Sequence, residues 1–180
     1  SHEKFLVAAL IVGVLIVAWS ERRAGRDEDS RTTVAARLAA SEGPPPDVVI
    51  SELLASNRGG LRDEDGETPG WIELQNRGSA PVELEGWTLS DEVRRWDKWV
   101  LPSVVLDPQE FLVVFASGKD RRVVDQPLHT NFRLNDNGEF LGLFSPDGET
   151  HVSNAFFPRY PRQRANVAFG RGAGDSLTYL

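Results

Sequence analysis

Cysteine is absent from the 180 residues. That excludes disulfides, thiolate nucleophiles and cysteine-ligated zinc, and it leaves the redox compartment unmarked. Methionine is absent too, so a chain that starts at Ser1 reads as a fragment or a processed product. Positive charge is in deficit: 20 Lys and Arg stand against 27 Asp and Glu, a net charge of −7. An acidic balance disfavours a broad phosphate-gripping surface, and with it nucleic acid as a partner. There is no G-x-S-x-G elbow and no H-E-x-x-H helix. The sequence therefore carries no motif of a serine hydrolase or a zinc protease. The hydrophobic fraction, 40%, is enough for one folded core.

The chain divides into three pieces. Phe5 to Trp19 carries no polar side chain. As a helix it is roughly 22 Å long, against a hydrocarbon core of about 30 Å. A soluble helix normally keeps a polar stripe, so residues 1–20 read as a signal peptide or a membrane-anchor helix. Ala18-Trp19-Ser20 fits a small-x-small cleavage site. In a retained anchor, Lys4 and Arg22 would reach the two interfaces. Arg22, Arg23 and Arg26 follow the segment and only Lys4 precedes it, which by the positive-inside rule points the rest of the chain to the cytoplasm. The acids interspersed among them blunt that signal, and orientation stays open. Residues 21–46 form a tether in which five arginines and five acids cancel. Its end, Pro44-Pro45-Pro46, favours an extended, semi-rigid spacer. Glu3 offsets Lys4, so the whole −7 falls on the third piece, residues 47–180.

In that piece, short apolar and β-branched runs recur between turn signals, the pattern of a sandwich or barrel. Val48-Val49-Ile50 opens the first strand. Trp71 to Gln75 alternates, with Ile72 and Leu74 on one face and Glu73 and Gln75 on the other. Val82 to Glu85 does the same, and at Gly86 the parity shifts to Trp87 and Leu89, as at a bulge or corner. Phe111 to Phe115 is apolar on both faces, which predicts a central, covered strand. Asn137-Gly138 and Asp147-Gly148 read as hairpin turns around a strand over 139–144. Two more strands are predicted at Asn166–Phe169 and Leu177–Leu180. With eight or nine strands, no convincing helix and no repeat, the expected fold is two packed antiparallel sheets.

Four segments resemble the lamin-tail domain. Gly70 to Asn76 is similar to its W-I-E-L-x-N strand, carried by Trp71, Glu73 and Asn76. Pro81 to Asp91 is similar to the following G-W-x-L-x-D strand, with Gly86 and Trp87. Leu128 to Gly148 resembles the late hairpin with an N-x-G-[DE] turn and a closing D-G, carried by Asn135, Gly138 and Gly148. Phe169-Gly170-Arg171 resembles the terminal [YF]-G-R. Gly70 departs from the pattern, since an acid often precedes the Trp. The resemblance implies an all-β, immunoglobulin-like β-sandwich, of the bacterial branch because no heptad rod precedes it. Such members are exported or envelope-associated and often joined to larger enzymes. It thus implies a non-catalytic, membrane-tethered or exported interaction or structural module, with the domain outside the cytoplasm. The alternative is an accessory domain of an exported hydrolase whose catalytic part lies beyond residue 180.

Several clusters are candidate sites. Asp63, Asp65 and Glu67 alternate along a Gly66-containing turn and offer three carboxylates to Ca²⁺. An EF-hand fails there, because Leu61 and Ile72 occupy its first and twelfth places. The competing reading is a solvated acidic turn. His129 and His151 flank the 139–144 strand and would need a carboxylate to hold zinc; surface or capping histidines are the simpler reading. Arg94, Arg95, Trp96, Lys98 and Trp99 alternate cations with aromatics, which suits a protein or glycan partner. The same residues also suit an edge strand guarded by charge. Arg159, Arg162 and Arg164 beside Tyr160 form a second basic cluster, more simply a solvated loop. Gly170 to Asp175 lacks the helix and lysine of a phosphate loop and reads as a turn between two strands. Trp71 and Trp87 read as core. The expected partners are thus the membrane through residues 5–19 and an unidentified protein or glycan. No cofactor is expected beyond Ca²⁺ at the acidic turn.

Overall fold

Residues 48–146, 152–172 and 175–180 are described by the computed structural model, and they form strands and turns with no α-helix. The apolar segment, the tether, the Asp147-Gly148 turn and His151 lie outside these residues. Alternation decides the strands. In β2 (Gly70–Asn76), Ile72 and Leu74 are fully buried while Trp71, Glu73 and Gln75 share the opposite face. β1 (Val48–Leu54) keeps Val48, Ile50 and Leu53 in the core through a register shift between Ile50 and Glu52. The bulge supplies the extra residue that this change of parity needs.

Twelve strands form among the described residues. One sheet has the order β12-β11-β1-β2-β7-β8, where β7 is Phe111–Ala116, β8 Leu128–His129, β11 Phe169–Arg171 and β12 Leu177–Tyr179. Its pairs are antiparallel except β7 with β8, which is parallel. A second sheet has the order β10-β9-β4-β5, with β4 Thr88–Ser90, β5 Trp99–Val100, β9 Leu141–Phe144 and β10 Val152–Phe156. β3 (Val82–Glu83) and β6 (Val105–Leu106) make a two-stranded sheet. Ile50, Leu53, Ile72, Leu74 and Val114 of the first sheet and Leu89, Trp99, Leu141 and Leu143 of the second share one buried cluster. Each such side chain contributes about 1.5–3 kcal/mol by leaving water.

The all-β reading holds, and the parity change at Gly86 leaves Leu84, Trp87 and Leu89 all buried. Two expectations are corrected. Phe111 is 53% exposed, because β8 runs only beside Val114 and Phe115 and leaves the Phe111 end of β7 at the sheet edge. Asn137-Gly138 is a turn but joins no hairpin: β8 belongs to the first sheet, while β9 pairs with β4 and β10. The reading of a turn between two strands holds, since β11 pairs with β12 and the Gly172 N–H donates to the Ser176 carbonyl between them; Gly170 itself stands in β11, where a Cβ would lie 2.3 Å from the Ser51 carbonyl oxygen.

Gly138 is held by a similar approach. Its φ is 86°, and an added Cβ would fall 2.2 Å from the Tyr160 carbonyl oxygen. Gly138→Ala is expected to destabilise the fold by about 2 kcal/mol or more, since it adds left-handed strain to a backbone clash. Urea unfolding of the variant checks this.

Candidate functional site

Between β1 and β2 the chain makes a loop over residues 55–69. Asn57 stitches it: Nδ2 donates to the carbonyls of Leu61 at 2.7 Å and Pro69 at 2.9 Å, and Oδ1 accepts the Gly60 N–H at 2.9 Å. Asp63 turns inward, its side chain fully buried. Its Oδ1 accepts the backbone N–H groups of Asp65 at 3.1 Å and Glu67 at 2.9 Å. A short acceptor side chain that bonds its own backbone fixes a tight turn, which is why aspartate suits this place.

The three carboxylates singled out by sequence do converge, and they converge on Lys119. Its Nζ lies 2.5 Å from Asp63 Oδ2, 2.6 Å from Asp65 Oδ2 and 2.8 Å from Glu67 Oε2. Lys119 follows β7, so the contact ties the loop to the far strand. Arg121 adds bonds to Glu64 and, at 2.8 Å, to Asp65. Lys119 and then Arg121 draw the Asp65 carboxyl from 3.8 down to about 2. Burial pushes Asp63 up, but Lys119 and the Glu67 and Asp65 amides outweigh it and hold the carboxyl below its ordinary value. Burial likewise opposes the Lys119 charge, and the three carboxylates more than offset it, so its pKa is raised. A divalent ion on these oxygens has to displace an ammonium already bonded to all three.

A second network lies alongside. His129 on β8 is fully buried and stacks on Phe115 with ring centroids 5.2 Å apart. Its Nδ1 pairs with Ser117 Oγ at 2.8 Å and its Nε2 with Glu64 Oε2 at 2.9 Å. No motif at positions 64, 117 and 129 announced this acid–histidine–serine chain; only the fold brings them together. It is not arranged for nucleophilic attack, which needs a serine within reach of substrate. Ser117 is 1% exposed and its Oγ accepts the Lys119 N–H at 3.2 Å, while the acid end faces water. The chain of bonds clamps the loop onto the sheet. Asp63, Glu64 and His129 also bring three ligand-type atoms within 4.8 Å of one another. Each of these groups already has a partner in Lys119, Arg121 or Ser117.

The basic and aromatic residues are not gathered into one displayed patch. Trp99 is fully buried, because on β5 it pairs with Leu89 and points into the core; its Nε1 donates to Asp120 Oδ1 at 3.1 Å. This corrects its expected place at the surface. Lys98 is held by Asp91 at 2.6 Å and Glu92 at 2.5 Å, with Phe132 beneath it at 5.4 Å. Thr88 Oγ1 and Ser90 Oγ donate to the carbonyls of Trp96 at 2.9 Å and Arg95 at 2.6 Å, which folds the 91–98 loop back on its strand. Trp96 is half-buried, 6.4 Å from Phe144. Arg94 and Arg95 are exposed.

The resemblance residues sit at structural posts. Asn76 donates to the Ala80 and Leu106 carbonyls, both at 2.8 Å, and Asn135 N donates to Glu139 Oε1 at 2.8 Å. Arg171 reaches Asp175 at 3.2 Å. Trp71 is a correction: it lies on the outer face of β2, half-buried, and not in the core. The lamin tail domain family model matches residues 41–156. The chain belongs to the lamin-tail-domain family, whose fold is immunoglobulin-like. No curated protein matches the chain. In this lamin-tail domain β11 and β12 lie beyond the matched residues and still complete the six-stranded sheet beside β1.

Two outcomes follow from the geometry. A carboxyl whose folded pKa is depressed stabilises the fold above its unfolded value and loses that contribution as the pH falls. The Asp65 contribution is therefore full above pH 3.8 and lost toward pH 2. Acid titration of stability should lose this step in Asp65→Asn. Trp99→Ala should cost about 3–5 kcal/mol in urea unfolding, and Trp96→Ala clearly less.

Proposed function

We propose that this lamin-tail chain is a non-catalytic interaction module, exported or held at a membrane through residues 5–19, with residues 21–46 as its tether. The observation that carries the non-catalytic half is the closure of the Lys119 and His129 networks on the chain's own groups. General acids, bases and nucleophiles act only where a reacting atom can approach them. Here the buried serine, the histidine and the acids of the 55–69 loop are each committed to a neighbour. Family membership supports the interaction half, since an immunoglobulin-like sandwich displays sheet faces and loops on a rigid frame. The unbroken apolar run before the charged tether supports the membrane half. The resemblance to exported, envelope-associated members supports a domain outside the cytoplasm, with a protein or glycan as its partner.

The test is fractionation of cells expressing the chain, with the mass of the mature N-terminus and protease treatment of intact cells. The expected result is a domain open to protease from outside, either membrane-bound or starting at Glu21. An uncleaved chain fully protected in intact cells contradicts the placement.

A further inference from the structure

The outer face of the six-stranded sheet has two unlike ends. At one end the cross-strand row Leu54, Trp71, Phe115 and His129 runs beneath the 55–69 loop, which is clamped there through Glu64. Leu54, Phe115 and His129 are buried. At the other end the rows are Glu52, Glu73 and Val113, then Val49, Gln75 and Phe111, of which Val49 is buried. Phe111 is 53% exposed, and Glu52, Glu73, Gln75 and Val113 are half-buried. On the far side of Glu52 the neighbouring residue is Gly170, which adds no side chain to the row.

Glu52 and Glu73 stand directly opposite each other on neighbouring strands. Like charges so placed destabilise a sheet. Burial, and then Glu73, push the Glu52 carboxyl above its ordinary value. Ser51 Oγ donates to Glu73 Oε1 at 2.7 Å, which fixes one carboxylate without neutralising it. Among the described residues no lysine or arginine pairs with either acid, in a protein that pairs Asp63, Glu64, Asp65 and Glu67 with cations.

We propose that this end of the face, over β1, β2 and β7, docks an arginine- or lysine-bearing segment of a partner protein. The cation sits on Glu52 and Glu73, and the apolar flanks of the segment lie on Val113 and Phe111. Charge complementarity selects this occupant. A second copy meeting it face to face would bring the same two acids, and a phosphate-bearing partner would be repelled by them. An apolar partner would leave the two carboxylates desolvated and unpaired. The proposal rests on the reading of the chain as an interaction module and names the chemistry of its partner.

The test uses the full chain in non-ionic detergent. The probe is a seven-residue peptide alternating valine and arginine, with its valine–glutamate counterpart as control. Calorimetry should detect the arginine peptide and not the control. Glu52→Gln with Glu73→Gln should weaken binding at least tenfold, and Phe111→Ser several-fold. The double variant should melt at the same or a higher temperature, because it removes a repulsion. Equal binding by the double variant, or a clear fall in its melting temperature, overturns the proposal; the latter would make the pair structural. In-cell crosslinking separates this from the module reading. A partner kept by the double variant removes this face and leaves the module. A wild-type chain that crosslinks to nothing removes the module itself.

Discussion

One ammonium organises the acidic end of the domain. Lys119 bonds Asp63, Asp65 and Glu67 together, and through them it fastens the 55–69 loop to the segment that follows β7. Without it, Asp63 would be a buried, uncompensated charge, a state that proteins avoid. With it, the loop lies over the sheet, Glu64 reaches His129, and the histidine, Phe115 and Ser117 are sealed from water. A cluster with the composition of a metal or catalytic site becomes an internal clamp.

The same sheet shows what an unclamped charge looks like. Glu52 and Glu73 face each other within a few residues of the Lys119 network, yet no cation among the described residues meets them. Strand order explains the contrast. The loop after β1 folds back over the end of the face where β8 adds His129, and β8 is only two residues long. Among the described residues, the Phe111 end therefore has no full-length neighbour beside it.

Much of the fold was legible in the sequence because alternation is a local signal. Ile72 and Leu74 against Glu73 and Gln75 define β2 without further help. β10 was not legible, since a register shift between Val152 and Asn154 breaks its alternation, and β8 is too short to show any. The acidic triad could be read as three carboxylates on one turn. Its cation could not, because Lys119 is 52 residues from Glu67 and no motif links them. Trp99 was misplaced for a related reason. A run of alternating cations and aromatics looks exposed, but a strand sends every second residue inward, and Trp99 takes the inward place opposite Leu89. The Ser117–His129–Glu64 chain is likewise a product of topology alone.

The central claim is that the chain's own lysine fills the acidic turn. It is tested most directly by thermal melts of the full chain in rising millimolar CaCl₂, with Lys119→Met alongside. A ligand that binds only the folded state raises the melting temperature with its concentration. The account predicts no rise for the wild type and a Ca²⁺-dependent rise for the variant, whose three carboxylates have lost their cation. A Ca²⁺-dependent rise in the wild type would contradict it, by showing that Lys119 yields the site to a metal.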